Sequence, residues 1–372
     1  GGGAVHCVVN DWENHRIVDL AERIGASWSA GFHRYLLARS RNPLSLLKTA
    51  ARVARTSAGF LRTAARFRPT HVLLPEYGAV AKNFPALLWL RARGVTTVLR
   101  LGNAPPRGRF YTQFFRRAVD PAVSRYVCTS EYVRGELLRH GVSRRKTCVI
   151  YNALHVDRRP SDGTERPERQ ANRLIYVGQI IPEKNVHVLL DAVGLLRRRG
   201  ADVTLDVVGP MEGWVPEGHK GYRERLLERA EVPDLAGRVR FHGRRSDVID
   251  LMASASLHVA PSSEEMGEGC PNVVLEAKSA GLPTVAFALG PYPELIAHGE
   301  TGWLCRGIDP EALADGIAAM LSDPERLRRS GEAARRSLRD YGWDRFAARW
   351  AAVFAERGIP SADRPLTTDE EH

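Results

Sequence analysis

Two glutamates that stand eight positions apart, Glu268 and Glu276, are the residues of this chain best placed to do chemistry. A helix is predicted to begin between them, and at 1.5 Å rise per residue their backbones are at most ~12 Å apart along its axis. One carboxylate can then meet a sugar and the other a ribose, with a diphosphate between them. The alternative is an ordinary turn from strand to helix with two solvated acids, and this stretch alone does not separate the two.

The helix between these acids is predicted from residue types. Pro271 suits the first helical position because its φ is fixed and its missing N–H would have no intrahelical partner. The helix continues over 272–279, and Gly281 is placed to end it in the left-handed conformation. A helix N-terminus carries a positive partial charge and unpartnered N–H groups, which together favour a bound phosphate. The N–H groups predicted to serve are those of Cys270, Asn272 and Val273.

Three glycines and one lysine stand where predicted strands end. The glycines are Gly178, Gly209 and Gly243, and a residue without a side chain lets a ligand approach the backbone closely. Lys184 follows the first of them by six residues, where its ammonium can meet a diphosphate as a point charge, although a lysine at a helix start is more often only solvated. No Asp-x-Asp pair is present and the histidines show no ligand spacing, so no metal is predicted. Cationic and backbone groups would then stabilise a leaving diphosphate.

The elements that must position these residues alternate between strand and helix in both halves of the chain. The first alternation begins at 70–76 and the second at 172–179, and such spacing is typical of doubly wound parallel sheets. The predicted fold class is therefore α/β, with two Rossmann-like doubly wound domains facing a cleft. Ligands of such sheets bind beyond the carboxyl ends of the strands.

The predicted domain boundaries follow composition and length. At 372 residues the chain exceeds the size at which one core keeps growing, so two domains are expected. The first is predicted over 1–157 and the second over 158–340, with a polar linker at 161–172. An amphipathic helix is predicted within 341–358 and a disordered tail over 359–372.

Several functional classes are disfavoured by composition. No apolar run approaches the roughly eighteen residues of a membrane span, and no signal peptide is recognisable. The five cysteines are scattered without CxxC pairing, which favours a reducing cytosol over a disulfide framework or structural zinc. Because the chain opens on three glycines without methionine, we expect an N-terminally truncated fragment whose first domain lacks its first strand.

The positive charge is concentrated in the first half. Residues 1–157 hold 25 Lys/Arg and 9 Asp/Glu, a net charge of +16, whereas the remaining residues carry a net charge of −5. The segment 42–69 is predicted as a helix pair, with apolar residues including Leu47 and Phe60 near one face and basic residues on another. The basic face is either simply solvated or it binds an anionic acceptor or membrane surface. Its arginines are Arg52, Arg55, Arg62 and Arg66.

Five motifs of the second half resemble the retaining GT-B-fold glycosyltransferases of family four. They are YVGQIIPEKN, DVVGP, FHGR, EGCPNVVLEAKSAGLPTVA and GPYPELIAHGETGWL, in that order and spacing. The resemblance is specific over 172–305 and weaker over YVCTSEYVRGELLRHGV and VIYNALHVD, at the end of the first domain. It implies transfer of a sugar from a nucleotide donor with retained anomeric configuration, and a last helix that returns to pack on the first domain.

The resemblance also assigns roles to residues. It implies that Glu268 contacts donor-sugar hydroxyls near the reacting carbon, that Glu276 takes the ribose hydroxyls and that Lys184 binds the diphosphate. The backbone around Gly243 and Arg244 would receive the base, and Gly209 would line its pocket.

Two departures from the family pattern stand out. Gln179 occupies the position where the family usually has an arginine, which removes one cation from the diphosphate. The family often has a histidine after the fourth strand of the first domain, whereas this chain reads VLRLGNAPP, so Asn103 and Arg100 become the candidates for the acceptor side.

The sequence thus predicts a cytoplasmic glycosyltransferase of glycan or glycoconjugate assembly, metal-independent and without a cofactor. A UDP or GDP sugar is the expected donor, and a glycan, lipid-linked or small molecule the expected acceptor. Peripheral association with the inner face of an anionic membrane is a further expectation. One alternative is a sugar-nucleotide 2-epimerase on the same fold. Another is a non-catalytic basic protein that binds membrane or nucleic acid, although no nucleic-acid motif is present and no such partner is expected.

Overall fold

The computed structural model describes residues 4–9, 16–29, 43–154, 169–212, 217–264 and 267–355. The chain forms two compact units, and neither is one continuous stretch of sequence. The first unit holds 1–128, 134–149 and 350–372, and the second holds 129–133 and 150–349. The predicted boundary between 157 and 158, most of the predicted linker and the predicted tail lie outside the described residues.

The first unit is built on a four-stranded parallel sheet. Its strands follow the order β3-β4-β5-β6, and β1 pairs with β2 in a separate two-stranded sheet. The elements are β1 His6–Val8, α1 Arg16–Arg23, β2 Ser27–Ser29, α2 Pro43–Phe67, β3 His71–Leu74, α3 Tyr77–Ala92, β4 Thr96–Leu101, α4 Arg109–Phe114, α5 Asp120–Ala122, β5 Arg125–Cys128, α6 Glu131–Arg139 (its first three residues count with the second unit) and β6 Thr147–Val149.

The basic segment of this unit is one helix of 25 residues, α2, so the prediction of a helix pair is wrong. α2 packs on α3, and the Ser57 hydroxyl donates to the carbonyl oxygen of Lys82 at 3.1 Å. The buried and exposed faces of α2 also differ from the prediction. Phe60 is buried as expected, but Leu47 is 68% exposed and lies on the solvent side with the basic residues.

The second unit is built on a six-stranded parallel sheet of order β12-β11-β10-β7-β8-β9. Its strands alternate with helices, as the sequence predicts, while β12 was not anticipated. The elements are β7 Arg173–Val177, α7 Val186–Arg198, β8 Thr204–Val208, α8 Tyr222–Ala230, β9 Val239–Gly243, α9 Val248–Ser254, β10 Leu257–Ala260, α10 Asn272–Ser279, β11 Thr284–Phe287, α11 Tyr292–Leu295, β12 Gly302–Cys305, α12 Pro310–Leu321, α13 Pro324–Ser337 and α14 Trp343–Ala355.

The central strands of this sheet are buried on both sides. All four residues of β10 and of β11 are buried, as is typical of a parallel sheet covered by helices. One side of the sheet packs against α7 and α12, with Leu189 and Ile317 fully buried in the core. The other side includes α9 and α10. Because α10 follows β10 in the chain, it begins after the carboxyl end of that strand.

The start of α10 differs slightly from its prediction. Pro271 precedes the helix as its N-cap, with φ −64° and ψ 113°, and Asn272 is the first helical residue. Gly281 has φ +66°, which confirms the predicted left-handed stop. Arg169 Nη2 donates to the carbonyl oxygens of Ala280 at 3.0 Å and Gly281 at 2.6 Å, so a charged donor satisfies the helix end.

The last described helix, α14, is shared between the units. Its residues from Trp350 onward belong to the first unit. There the buried guanidinium of Arg125 donates to the carbonyl oxygen of Val353 at 2.6 Å.

Candidate functional site

Lys184 and Glu268 form a hydrogen-bonded ion pair in the second unit. Lys184 ends a short 3-10 turn, Pro182–Lys184, between β7 and α7, and it is only 8% exposed. Glu268 lies in the loop between β10 and α10. The structure therefore brings together the lysine and the first glutamate that the sequence singled out. A buried charge is costly unless it is paired, so each of these side chains fixes the other.

Tyr292, on α11, is a third member of this cluster that sequence reasoning missed. Its hydroxyl donates to Glu268 Oε2 at 3.4 Å and lies 3.1 Å from the Ser262 hydroxyl. Burial, reinforced by the charge of Glu268, raises the pKa of Tyr292 well above its usual value of 10. Tyr292 therefore stays protonated and donates to the carboxylate. Its motif, GPYPEL, was recognised in the sequence, but no residue spacing predicts that this ring reaches Glu268.

His258, on β10, is held neutral near the same pair. Burial, and next the positive charge of Lys184, lower its pKa from 6.5 to about 3. Its Nδ1 lies 3.1 Å from the Thr284 hydroxyl oxygen. Since the imidazole is neutral, Lys184 is the group that brings positive charge to this part of the site.

A pocket opens beside Glu268. Its walls combine two carboxylates, hydroxyl groups, two glycines and two tyrosines, one of them at the start of α6 and the other on α11. The lining residues are Tyr132, Ser262, Ser263, Glu264, Gly267, Glu268, Leu289, Gly290, Pro291 and Tyr292. Among these residues two carry negative charge and none carries positive charge. Such a surface presents hydrogen-bond acceptors to the hydroxyl groups of an uncharged polar ligand.

The glycines predicted at strand ends lie against one another. The N–H of Gly209 donates to the carbonyl oxygen of Gly243, and the N–H of Gly178 to that of Val208, each at 3.0 Å. A Cβ on Gly209 would stand 2.0 Å from the carbonyl oxygen of Gly178, so only glycine fits there. Gly243 adopts a left-handed φ of +65° that disfavours side chains.

Two exposed residues border these glycines. Gln179 follows Gly178, and its carbonyl oxygen accepts the Tyr176 hydroxyl at 2.7 Å. Arg244 follows Gly243. Their predicted contacts with diphosphate and base remain predictions.

The N-terminus of α10 is braced from outside the helix. Asn152 Nδ2 donates to the carbonyl oxygen of Cys270 and to Asn272 Oδ1, both at 2.8 Å. The first N–H groups of an α-helix, here those of Asn272 and Val273, have no intrahelical acceptor. Glu276 points from the same helix and is 6% exposed. The predicted diphosphate and ribose contacts of these groups stay predictions.

The acceptor-side candidates belong to the first unit. Arg100 lies in β4 and is half-buried, while Asn103 follows the strand and is exposed. Both stand at or near the carboxyl end of a parallel strand, where such sheets bind ligands. Their role toward an acceptor remains a prediction.

In the described part of the chain, no three His, Cys, Asp or Glu side chains group closely enough to hold a metal ion. None of the helices in this part combines the length and the apolar character needed to cross a bilayer.

Two family models match the chain in succession. The model "Glycosyltransferase Family 4" matches residues 5–158, and "Glycosyl transferases group 1" matches residues 158–337. Among curated proteins, the chain is 31% identical over 244 residues to a D-inositol 3-phosphate glycosyltransferase of Streptomyces avermitilis, covering 63% of this chain and 52% of that one. It is 32% identical over 216 residues to a glycogen synthase of Mycobacterium tuberculosis, covering 56% and 49%. The chain thus spans about half the length of these curated relatives.

Solved structures resemble the chain over nearly its whole length. Anabaena HepE in complex with UDP and glucose aligns with a TM-score of 0.73 at 20% identity, covering 93% of this chain and 91% of that one. Sucrose-phosphate synthase from Thermosynechococcus elongatus aligns with a TM-score of 0.68 at 18% identity, covering 95% of each. Two parallel α/β units with these neighbours define the GT-B class of Rossmann-like folds. The chain belongs to the family-four glycosyltransferases, the group-1 type.

Proposed function

We propose that this protein is a retaining, metal-independent glycosyltransferase that moves a sugar from a nucleotide diphosphate to a glycan, lipid-linked or small-molecule acceptor. The observation that carries the proposal is the pairing of Lys184 with Glu268 beside a pocket rich in acceptors. Family membership supports it, because the motifs that match the family are those that hold these two residues.

The chemistry of the site divides between two groups. Lys184 and the N–H groups at the start of α10 would stabilise the negative charge that develops on the leaving diphosphate. Glu268, fixed by Lys184 and Tyr292, would accept hydroxyl groups of the donor sugar while positive charge develops on the reacting carbon. Both groups sit at the carboxyl ends of the parallel strands, where such sheets bind ligands.

The donor is expected to be a UDP or GDP sugar. A solved structure of the same fold is in complex with UDP and glucose, whereas the curated relatives bear different names, a D-inositol 3-phosphate glycosyltransferase and a glycogen synthase, so the base and the sugar need a direct test. In a thermal-shift panel of UDP, GDP, ADP and dTDP sugars, we expect one nucleotide series to raise the unfolding temperature. A chain that none of these sugars stabilises would argue against the proposal.

Transfer is distinguished from the epimerase alternative by the need for an acceptor. A transferase consumes donor slowly until an acceptor is added, whereas a 2-epimerase converts the donor alone. We therefore propose incubating the stabilising donor with and without candidate acceptor glycans and following the sugar by NMR. Complete conversion without acceptor to the 2-epimer would identify the epimerase instead.

The basic helix α2 favours a membrane-bound acceptor and a place on the cytoplasmic face of a membrane. Its solvent face combines the exposed cations Lys48, Arg55, Arg62 and Arg66 with the exposed apolar Leu47. Such a face can lie on an anionic bilayer, with the methylene chains of its Lys and Arg side chains and its apolar residue at the interface. A non-catalytic membrane- or nucleic-acid-binding protein would use the same face but would need no donor site, so donor binding separates the two.

A further inference from the structure

A clasp between Glu294 and three hydrogen-bond donors lies outside the residues assigned so far. Glu294 Oε2 accepts the backbone N–H of Glu131 and the hydroxyl of Tyr151, both at 2.7 Å, and Oε1 accepts the backbone N–H of Tyr132 at 2.6 Å. All four residues belong to the second unit. These contacts are called the Glu294 clasp below.

The clasp fixes the backbone at the start of α6. The first N–H groups of a helix lack intrahelical acceptors, and a carboxylate there also meets the positive end of the helix dipole. The next N–H, that of Val133, lies 3.2 Å from the Ser130 hydroxyl. Burial and the hydrogen bond to Glu294 raise the pKa of Tyr151 well above 10, so its hydroxyl remains a donor to the clasp. These hydrogen bonds therefore hold in place the backbone from which the Tyr132 side chain extends.

Tyr132 lines the pocket beside Glu268, and its ring lies against Gly290, another lining residue. Its atoms lie 3.7 to 3.9 Å from the position of a Cβ on Gly290, which is van der Waals distance. The pocket's carboxylates, Glu264 and Glu268, are its other chemically distinctive lining groups. The short helix α11 joins these features, because Tyr292 in its first position contacts Glu268 and Glu294 in its third position holds Tyr132.

We infer that the Glu294 clasp positions Tyr132 as an aromatic wall for a neutral donor sugar. This inference rests on the proposed function and adds the sugar contact to it. A sugar ring offers C–H groups on its faces and hydroxyl groups at its edges, so one face can stack on Tyr132 while hydroxyl groups donate to the carboxylates. The lining residues include two carboxylates and no basic residue, and the nearby Lys184 is already paired with Glu268, so a sugar that itself carries a carboxylate would find no unpaired cation among these lining residues. Tyr132 is the contact residue, and Glu294 is a positioning residue that acts through it.

The test compares affinity for a nucleotide sugar with affinity for the matching nucleoside diphosphate, both by calorimetry. The donor is the one that most stabilises the wild type. Tyr132→Ala and Glu294→Gln should each lower the affinity for the nucleotide sugar by about tenfold, the effect expected for losing one apolar contact in a pocket. Neither should change affinity for the diphosphate. Tyr132→Phe keeps the ring and should bind like the wild type, as should Glu311→Gln, a control at an exposed glutamate on α12.

The double variant Tyr132→Ala/Glu294→Gln distinguishes positioning from a general structural role. Residues that act through one contact show non-additive effects, so the double variant should bind the nucleotide sugar no more weakly than Tyr132→Ala. Additive losses, or equal weakening of sugar and diphosphate by Glu294→Gln, would overturn the positioning role. The Tyr132→Ala variant tests the aromatic wall independently of Glu294. If its affinity for the nucleotide sugar equals that of the wild type, Tyr132 does not contact the sugar and the inference is wrong. If the wild type binds diphosphates but no neutral nucleotide sugar, this inference fails while the diphosphate site stands. A wild type that binds neither contradicts the proposed function itself.

Discussion

Glu268, in the loop before α10, and Glu276, on α10 itself, differ in what surrounds them. Glu268 is bonded to a lysine and a tyrosine beside an open pocket, whereas Glu276 is nearly buried on α10. Contacts with ribose exist in the ground state and the transition state alike, but contacts near the reacting carbon strengthen as charge develops. The two residues should therefore fail in different ways when replaced.

The first prediction concerns this difference. Glu276→Ala should weaken nucleoside diphosphate binding by roughly 10- to 100-fold, as the loss of a hydrogen bond to a charged group does. Glu268→Ala should instead lower turnover by about 10²- to 10³-fold. Calorimetry and steady-state kinetics separate the two, with Glu231→Ala, at an exposed acid after α8, as the control. Equal diphosphate binding by wild type and Glu276→Ala would contradict the ribose assignment.

Lys278, on α10, gives a prediction about pH. It is 4% exposed, and burial lowers its pKa from 10.5 to about 8, although nearby acidic groups oppose the shift. Its ammonium donates to the Ser337 hydroxyl at 2.6 Å. Because the folded-state pKa lies below the unfolded value, the unfolded chain binds more protons between pH 8 and 10.5, and stability rises with pH across this window.

The measurement is the free energy of unfolding at pH 7 and pH 9.5 for the wild type and Lys278→Met. The methionine variant fills the space without a charge, so its difference from the wild type isolates the titration of Lys278. We expect the wild type to gain about 2 kcal/mol relative to the variant between these pH values. A pH-independent difference between the two proteins would show that Lys278 is not desolvated in this way.

At the scale of elements, the ends of β7, β8 and β9 form one packed unit. Gly209→Ala places a Cβ 2.0 Å from the Gly178 carbonyl oxygen, and the backbone must move to accept it. We predict a loss of about 1–3 kcal/mol in stability, typical of overpacking, together with weaker nucleotide binding. Gly135→Ala in α6 is the matched control, since nothing lies near its Cβ, and it should gain about 0.5–1 kcal/mol from helix propensity. Denaturant unfolding of the two variants compares them, and similar stabilities would refute the close approach.

The basic helix α2 yields a second prediction at this scale. Each basic residue near an anionic membrane contributes roughly 1 kcal/mol, an attraction that falls off within a Debye length. The wild type should co-sediment with vesicles that contain anionic lipid at low salt and be released at high salt. Replacing Arg52, Arg55, Arg62 and Arg66 by glutamine should abolish the sedimentation.

The control for the vesicle experiment removes the same charge from another surface. It replaces four exposed arginines of the first unit outside α2 by glutamine, namely Arg109, Arg117, Arg144 and Arg145. This variant should sediment like the wild type. A wild type that stays in the supernatant at low salt would end the membrane hypothesis, and equal losses in both variants would point to net charge rather than to α2.

The elements show how far residue patterns reach. The sequence predicts α10 to within one residue of its observed start, because Gly281 can adopt the left-handed stop and the preceding residues favour a helix. α2 was not predicted as one helix, because Gly59 in its interior weakens helix propensity and only packing of its buried side offsets that loss. The sequence does not predict β12, because its four residues, GWLC, are too few to show the pattern of a strand.

The site shows where residue patterns stop. Lys184 and Glu268 were selected from the sequence, since both follow strands whose carboxyl ends meet at one sheet edge. The positions of Tyr132 and Tyr292 beside Glu268 are not predicted in this way. Tyr132 is far from Glu268 in sequence, and Tyr292, 24 residues after Glu268, meets it only in the folded chain.

At the scale of the whole molecule, the mechanism requires that leaving-group charge be neutralised. With no Asp-x-Asp pair in the sequence, we predict that Lys184 and the backbone at the start of α10 provide this and that most activity survives excess EDTA. The assay follows diphosphate release with and without chelator. Loss of activity on chelation, restored by Mn²⁺ or Mg²⁺, would require a metal-dependent mechanism instead.

The short segment 129–133 has a consequence for engineering. Residues 134–149, which belong to the first unit, separate it in sequence from the rest of the second unit, yet it belongs to that second unit and carries Tyr132. A chimera that joins two relatives at residue 150 would keep the Glu294 clasp, because backbone N–H groups come with any parent. It would, however, inherit residue 132 from the other parent. The preference for a donor sugar would then depend partly on the parent that supplies the N-terminal part. To transfer that preference completely, residues 129–133 of the C-terminal parent would have to be transplanted as well.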